Sequence, residues 1–388
     1  MPSAEGRGAL TTGRVLFFAA GALLGAVAYG CIASTRRYRG APSDHFDGRR
    51  FHNETPTKHS GLGDLLKWMR TREPGPWRKW TDVPPAPSPA PRVAPGEMRV
   101  TFVSHATVLV QMDGLNLLTD PIWSERCSPV SFAGPKRVVP PGLRFEQLPP
   151  IDVVLISHNH YDHLDLPTLK RLASEHHPRI LVPLGNRGVL DRAGVHGAEE
   201  LDWWQSVEVE NGVRVTAVPT QHFSGRGMFD RDRALWAGFV ASGSAGSVYF
   251  AGDTAFGPHF EEIRNRFGPP RLALLPIGAY RPEWFMSRVH ASPEEALRAH
   301  RLLGAGTSIG IHFGTFRLAD DGQDEAPTRV ETLVREEGAP KPRFWILGFG
   351  EGRDVPAEPV ALGSPDEGHS VRGDGYGRTG RLAGVPAR

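Results

Sequence analysis

Residues 157–165 read Ser-His-Asn-His-Tyr-Asp-His-Leu-Asp and place four potential metal ligands, His158, His160, Asp162 and His163, within six residues. The stretch directly follows a short apolar run with the length and β-branched content of a buried strand. Open metal sites are often built on loops that a rigid sheet holds in place. Imidazole and carboxylate groups without thiolates suit zinc, iron or manganese. The stretch therefore predicts a metal site, and an ordinary polar loop explains this density of ligands poorly.

The spacing within this motif suggests two metal positions. His158 and His160 are two residues apart, so in an extended segment both side chains leave on the same side. Asp162 and His163 follow after the chain must begin to turn, so they are free to point at a second position. We therefore expect a pair of metal ions.

Three further strand-like runs each lead to one more potential ligand. These ligands are His222, Asp253 and His312, and small or turn-forming residues lie beside each of them. Taken alone, each histidine is more typical of a packed or surface residue, and Asp253 of a turn cap. Taken together with the first motif, the ordered series favours a metal centre.

The chain resembles the metallo-β-lactamase superfamily. The H-x-H-x-D-H signature of that superfamily is matched in full by residues 158–163, and its downstream ligands match His222, Asp253 and His312. The resemblance is closer still to the branch that contains the phospholipase D that hydrolyses N-acylphosphatidylethanolamine. The stretches that carry this closer resemblance are 104–107 (Ser-His-Ala-Thr), 118–122, 134–137, 250–254, 277–286, 293–296 and 312–316. The similarity runs from about residue 46 to about residue 350.

This resemblance implies an α+β fold, a four-layer αβ/βα sandwich of the metallo-β-lactamase type, with two zinc ions as cofactors. Iron or manganese would also suit the ligands. In the superfamily pattern one metal would be held by His158, His160 and His222, the other by Asp162, His163 and His312, and both by a bridging Asp253. Asp120 matches a position that would support a ligand by accepting an imidazole N–H. The alternative for Asp120 is a cap of a helix or turn before Pro121.

The resemblance also implies the reaction. It is the hydrolysis of a phosphodiester of a membrane lipid, with N-acylphosphatidylethanolamine giving phosphatidic acid and an N-acylethanolamine, as in a phospholipase D-type phosphodiesterase. Asp162 and Asp253 would serve catalysis, with Asp253 accepting a proton from water, and His290 would donate to the departing oxygen. The alternative for His290 is an ordinary histidine ahead of the helix that Ser292 and Pro293 would start.

Two other functions stay open at this point. The same fold hosts several chemistries, so a metal-dependent lactonase or another ester hydrolase acting on a soluble substrate is one alternative. A membrane-anchored protein that binds metal without catalysis is the other. The complete set of ligands argues against the second.

Four residues are candidates for substrate binding. Arg226 or Arg231 could bind a phosphate through two parallel hydrogen bonds, and Tyr280 and Trp284 could line a groove for an acyl chain. The alternatives are a surface ladder of arginine and aspartate for the first pair and ordinary core packing for the second.

The flanking segments divide the chain into four predicted parts. Residues 1–40 form a membrane anchor or a cleaved signal segment, because residues 15–33 carry no charge over 19 positions. Residues 41–95 form a basic, proline-rich linker near the membrane, 96–352 the catalytic domain and 353–388 a disordered tail. We expect the protein to associate with a membrane, on a side that the basic residues at both ends of the apolar run leave undecided.

A cluster of apolar residues in the linker is typical of a helix that lies at a membrane interface or docks on the core. The cluster consists of Leu62, Leu65, Leu66, Trp68 and Met69. The expected partners are a phospholipid substrate and a membrane surface. A net charge of only +2 and the absence of nucleic-acid motifs argue against nucleic acid as a partner. With two cysteines the chain has no disulfide framework and no cysteine-based metal site, and the oligomeric state stays open.

Overall fold

A computed structural model describes residues 34–357, apart from residues 36, 57–59, 85 and 228. Its centre is a pair of mixed sheets with seven strands each. The first sheet consists, in spatial order, of β14 (Gly352–Asp354), β1 (Met98–Ser104), β2 (Thr107–Met112), β3 (Leu115–Thr119), β4 (Val153–Leu155), β5 (Arg179–Pro183) and β6 (Glu199–Leu201). The second consists of β13 (Phe344–Trp345), β12 (Thr307–Ile311), β11 (Leu272–Pro276), β10 (Gly246–Phe250), β9 (Gly238–Gly243), β8 (Arg214–Val218) and β7 (Ser206–Glu208).

The described part of the chain also contains seven α-helices. They are α1 (Leu62–Arg70), α2 (Leu166–Glu175), α3 (Arg187–Arg192), α4 (His259–Phe267), α5 (Glu283–Met286), α6 (Pro293–Leu303) and α7 (Glu325–Glu336). Helix α6 begins as the sequence predicts. The Ser292 hydroxyl accepts from the Glu295 N–H, and the Glu295 carboxylate accepts from the Ser292 N–H. This reciprocal pair satisfies two backbone donors at the helix start.

The strands alternate between two cores, because successive side chains point to opposite faces of a sheet. On β4, Val153 and Leu155 belong to the main core, which also contains residues of the second sheet such as Phe239. Val154 points the other way and packs in a second core with Leu169 of α2. The two sheets therefore face each other and carry helices, as predicted for the α+β sandwich.

The strands that lead to the predicted ligands share one edge of the sandwich. Strands β8, β10 and β12 run in the same direction, because β8 and β10 are both antiparallel to β9 and β10 to β12 pair in parallel. Their carboxyl ends therefore lie on the same side of the second sheet. The loop after β4 of the first sheet meets them there. Carboxyl ends of strands are a common place for sites in α/β sheets.

Part of the segment predicted to be a linker packs into the main core. Phe46 and Phe51 are 2% and 1% exposed, and they form a β-bridge with each other. The predicted domain boundary at residue 96 stays a prediction. The packing nevertheless joins these two phenylalanines to the folded unit.

No helix among the described residues is both long enough and apolar enough to cross a membrane. The apolar run 15–33, on which the predicted anchor and transmembrane helix rest, lies outside the described residues. Residues 358–388 of the predicted tail lie outside them as well.

Candidate metal centre

Asp253 lies at the centre of a buried group of histidines. Its Oδ2 atom is 3.1 Å from Nε2 of His312 and 3.2 Å from Nε2 of His163. The Nε2 atoms of His222 and His158 lie 3.7 and 3.9 Å from the same oxygen. All five residues are at most 3% exposed. Ligands from both sheets thus surround a single carboxylate.

His158, His160 and His222 form the first potential metal position. One nitrogen of each lies within 4.8 Å of the others. Nε2 of His158 is 2.8 Å, and Nε2 of His222 is 3.3 Å, from Nδ1 of His160. The structure therefore brings together the three histidines that the superfamily pattern assigns to one metal.

Asp162, His163 and His312 form the second potential position, and His105 joins them. The Oδ2 atom of Asp162 is 3.3 Å from Nε2 of both His163 and His312. It is 2.9 Å from Nε2 of His105. These four residues have ligand atoms within 4.8 Å of one another. His105 is not among the predicted ligands.

Hydrogen bonds behind the histidines direct their remaining nitrogens towards the centre. Nδ1 of His163 lies 2.6 Å from Oδ2 of Asp120, and Nδ1 of His222 lies 2.9 Å from the main-chain oxygen of Val289. Asp120 is itself fixed, because it accepts hydrogen bonds from the N–H and hydroxyl of Ser157. When Nδ1 donates, Nε2 keeps its lone pair for a metal. Asp120 contacts a predicted ligand in the way that a supporting residue would.

The electrostatics of the cluster fit a cation. Burial alone would raise the pKa of Asp253, but His163 and His312 hold it well below its usual value, and the pKa of Asp162 is lowered in the same way. Burial alone would lower the pKa of His312, yet Asp253 and Asp162 raise it to about 9. Two ionised carboxylates thus lie where an uncompensated charge is costly. Protons on imidazoles compensate for them in the metal-free protein, and divalent cations would replace those protons.

Two buried nitrogens fit the same conclusion. Nε2 of His163 and Nε2 of His312 make no hydrogen bond among the described residues, although each lies 3.1–3.3 Å from carboxylate oxygens of Asp162 and Asp253. Buried polar atoms are seldom left unpaired. Imidazole nitrogens and carboxylate oxygens are donors that zinc, iron and manganese accept, so metal ions would complete the contacts that these atoms lack.

His290 lies beside the ligands. Its Nδ1 is 3.9 Å from Oδ2 of Asp253, and it forms a close group with Asp253 and His222. Burial is the main cause that lowers the pKa of His290 to about 4. A neutral imidazole still donates through one N–H, so His290 can hydrogen-bond a group held next to Asp253.

A cavity of about 560 Å³ opens beside these residues. The residues of the site that line it are His160, Asp162, His222, Asp253, His290 and His312. Its apolar lining consists of Leu62, Leu65, Trp68, Phe223, Phe285, Met286, Val289 and Leu318. Arg231 and Arg288 also line it. Metal ligands, cationic groups and an apolar wall in one space suit an anion with a hydrocarbon part.

Arg226 braces the ligand loop and does not line this cavity, which differs from its predicted role in phosphate binding. Its Nη1 donates to the main-chain oxygens of Asn159 and Leu164, both at 2.9 Å. Its guanidinium carbon lies 4.0 Å from the centroid of the Tyr161 ring. These contacts hold the ligand loop at residues 159 and 164. Nη1 of Arg226 is therefore used by the protein's own carbonyl groups.

The other three predicted substrate residues are placed differently from one another. Arg231 lines the cavity as expected. Tyr280 is only 7% exposed and its hydroxyl donates to Glu325 at 2.7 Å. Trp284 is 39% exposed, and its ring lies 4.4 Å from Nζ of Lys67 on α1. Neither Tyr280 nor Trp284 is among the described residues that line the cavity. Their expected place on its apolar wall is taken by other residues, because Tyr280 is held by Glu325 and Trp284 faces Lys67.

Asn53, His105 and Arg288 were not identified from the sequence as site residues. Nδ2 of Asn53 donates to the main-chain oxygen of His222 at 3.0 Å, and its Oδ1 accepts from the His222 N–H at 3.1 Å. The two residues are 169 positions apart, and no local pattern reveals such a contact. Of the three, only His105 could have been suspected from the sequence, because it belongs to the Ser-His-Ala-Thr stretch that supports the resemblance.

Comparison with known proteins identifies the class. The β-lactamase superfamily domain matches residues 115–313, just over half of the chain. The chain belongs to this superfamily and is a metal-dependent hydrolase. The predicted superfamily, sandwich fold and enzyme class are confirmed.

Individual relatives refine this picture. N-acyl-phosphatidylethanolamine-hydrolyzing phospholipase D 1 of Caenorhabditis elegans is 44% identical over 56% of this chain and 64% of its own. The match therefore spans slightly less than two thirds of that relative's length. A metal-dependent hydrolase of Methanopyrus kandleri is 33% identical over 61% of this chain and 93% of its own. Among solved structures, a possible metal-dependent hydrolase from Veillonella parvula shares the fold with a TM-score of 0.55 at 16% identity, over 66% of this chain and 99% of that one.

Proposed function

We propose that this protein hydrolyses N-acylphosphatidylethanolamine to phosphatidic acid and an N-acylethanolamine at a site with two zinc ions. The observation that carries the proposal is the cavity, where potential metal ligands, two arginines and an apolar wall share one space. This combination matches a substrate with a phosphodiester and hydrocarbon chains. The name of the nematode relative, at 44% identity, supports the same substrate.

The ligands divide into two sets around Asp253. One metal would be held by His158, His160 and His222, the other by Asp162, His163 and His312, and both by Asp253. When bound, two divalent ions supply Lewis acidity that activates water and neutralises charge on the phosphate oxygens. The donor set suits zinc, and iron or manganese would fit it as well.

Asp253 and His290 are the residues that we assign to proton movement. Oδ1 of Asp253 has no hydrogen-bond partner among the described residues, so it can accept a proton from the attacking water. His290, 3.9 Å from Asp253, would hydrogen-bond the departing oxygen of the N-acylethanolamine through its N–H, and the proton taken up by Asp253 would pass to that oxygen. Asp162 would act beside Asp253 as a ligand, with its Oδ2 3.3 Å from Nε2 of His163 and of His312.

Arg231 and Arg288 are assigned to the substrate phosphate. The guanidinium carbon of Arg231 lies 4.2 Å from the centroid of the Phe223 ring, and both residues line the cavity. Nη1 of Arg288 lies 3.4 Å from the Ser60 hydroxyl and 4.0 Å from a carboxylate oxygen of Asp64, so this arginine also connects α1 to the site. A planar guanidinium matches two phosphate oxygens with parallel hydrogen bonds. Arg231 keeps its predicted role, and Arg288 is added to it.

Helix α1 is assigned to contact with the membrane. None of its nine residues is buried, and Leu62, Leu66 and Met69 are 73%, 50% and 62% exposed. Trp68 packs on the protein, with its ring stacked 4.9 Å from that of Phe285. A short amphipathic helix with exposed apolar residues fits the boundary between headgroups and acyl chains. Lipid chains would then enter the cavity along α1.

The test is release of N-acylethanolamine from N-acylphosphatidylethanolamine in mixed micelles, measured by mass spectrometry together with phosphatidic acid. Zinc-loaded wild type is compared with the chelator-treated protein and with Asp253→Asn. Metal-dependent release of both products, lost in the variant, is the expected result. A wild-type protein that holds two zinc ions and releases neither product would overturn the substrate assignment, and soluble lactones and esters would be tested in its place.

A further inference from the structure

The turn between β1 and β2 reaches from the first sheet to the ligands of the second. Strand β1 ends at Ser104 and β2 begins at Thr107, so the turn has two residues. His105 is the first of them and adopts a left-handed backbone conformation with φ of 54°. Its N–H donates to the Thr315 hydroxyl at 3.0 Å, and its carbonyl accepts from the His312 N–H at 2.8 Å. The turn is therefore fastened to the segment that carries His312.

The side chain of His105 makes a second connection. It is 1% exposed, and its Nε2 lies 2.9 Å from Oδ2 of Asp162. An ionised carboxylate can only accept, so Nε2 carries the hydrogen of this bond. The ring centroid of His105 is also 4.1 Å from that of His312. One residue thus contacts Asp162 from the loop after β4 and His312 from the loop after β12.

This geometry separates His105 from the predicted ligands. A nitrogen that donates to Asp162 cannot offer a lone pair to a metal at the same time. The same Asp162 oxygen lies 3.3 Å from Nε2 of His163 and of His312, so the hydrogen bond from His105 fixes the oxygen that faces the other two ligands. Contacts of this kind orient ligands without joining the coordination sphere.

We propose that His105 is a positioning residue for the second metal position. It orients Asp162 and fixes it relative to His312, which follows β12 of the other sheet. The proposal rests on the ligand assignment given under the proposed function, and it adds to those ligands a residue that is not one of them.

The experiment measures zinc affinity directly. Wild type, His105→Leu and His105→Gln are titrated with zinc in competition with a chromophoric chelator, and the cobalt-substituted proteins are compared by visible absorption. Leucine removes the donor, whereas glutamine keeps an N–H near the position of Nε2. His300 provides matched controls, because it is also 1% exposed and bonds a neighbouring side chain, Ser308, away from the ligands.

We expect His105→Leu to weaken the second zinc by about 10- to 100-fold and to change the cobalt spectrum. We expect His105→Gln to stay within about threefold of wild type, and His300→Leu and His300→Gln to bind zinc as wild type does. If the leucine variant does not fold, as judged by circular dichroism, the glutamine variant decides alone.

Two results would overturn the proposal for His105 and leave the proposed function unaffected. One is a folded His105→Leu protein with wild-type affinity for both zinc ions. The other is a His105→Gln protein that loses zinc tenfold or more, since the imidazole would then act as a ligand or by its shape. A wild type that binds a single zinc would overturn the two-metal assignment, and the role of His105 at a second position with it.

Discussion

The metal centre and helix α1 border the same cavity but are held in opposite ways. Asp253 and the four histidines around its carboxylate are at most 3% exposed, and hydrogen bonds from behind fix His163 and His222. Helix α1 buries none of its residues and touches the rest of the site through Trp68 and Arg288. Rigidity at the centre suits chemistry that needs fixed ligands, while exposure of α1 suits contact with a partner outside the molecule.

This contrast separates two kinds of effect. Changes at the centre should reduce metal binding and the hydrolysis of every substrate. Changes on α1 should spare the metals and act only on lipid that must be drawn from a membrane. Each of the following variants tests whether the two kinds of effect are separate.

The largest effect is expected from Asp253→Asn. The substitution keeps the size of the side chain but removes the negative charge around which the histidines gather. We expect the turnover of any substrate to fall by about 1,000-fold and the affinity for both zinc ions to fall. Turnover and zinc content of the purified variant measure this. Unchanged zinc content at full rate would show that Asp253 does not bridge two metals.

A smaller effect at the same centre is expected from Asp120→Asn. Asparagine cannot supply the charge that holds Nδ1 of His163 at 2.6 Å, so the affinity for zinc should fall by about 10- to 100-fold. Asp113→Asn is the matched control, because Asp113 is 4% exposed and bonds the Ser244 hydroxyl away from the ligands. Equal zinc affinities in the two variants would contradict the supporting role of Asp120.

The centre could be predicted from the sequence because its signals are local. Each ligand follows a strand within a few residues, and the edge at which parallel strands end then brings the ligands together. The contacts that hold the ligands could not be predicted in the same way. Asn53 reaches the backbone of His222 across 169 positions, and Arg226 binds carbonyl groups, which every residue carries. For the same reason the different contacts of Arg226 and Arg231 could be read only from the structure.

Substitution of Arg226, which contacts the ligand loop, and of Arg288, which lines the cavity, should have different effects. Arg288→Ala should lower kcat/KM for the lipid by about tenfold or more, since hydrogen bonds to charged groups contribute about 1.5–3 kcal/mol, and leave zinc affinity unchanged. Arg226→Ala should instead speed the loss of zinc to a chelator, because it removes two hydrogen bonds from the ligand loop. The reverse pattern would exchange the roles assigned to them.

Without metal, the stability of the folded protein should depend on pH. The pKa of His312 in the folded protein is raised from 6.5 to about 9 against the opposing effect of burial. A raised pKa stabilises the folded state fully below 6.5, and the contribution is lost as the pH rises through about 9. The melting temperature of the chelator-treated protein should therefore fall by several degrees over this range. Calorimetry with and without zinc tests this, and equal slopes would show that no cation replaces these protons.

The smallest effect should come from α1 and should depend on how the lipid is presented. Leu66→Ser with Met69→Ser removes two exposed apolar side chains from the helix, so hydrolysis of lipid in vesicles should fall by about fivefold through weaker interfacial binding. Zinc affinity should not change, and neither should the rate on a short-chain monomeric substrate. Leu302→Ser is the matched control, because Leu302 is 38% exposed on α6 and does not line the cavity. A loss of equal size on the monomeric substrate would mean that α1 shapes the cavity and does not dock on a membrane.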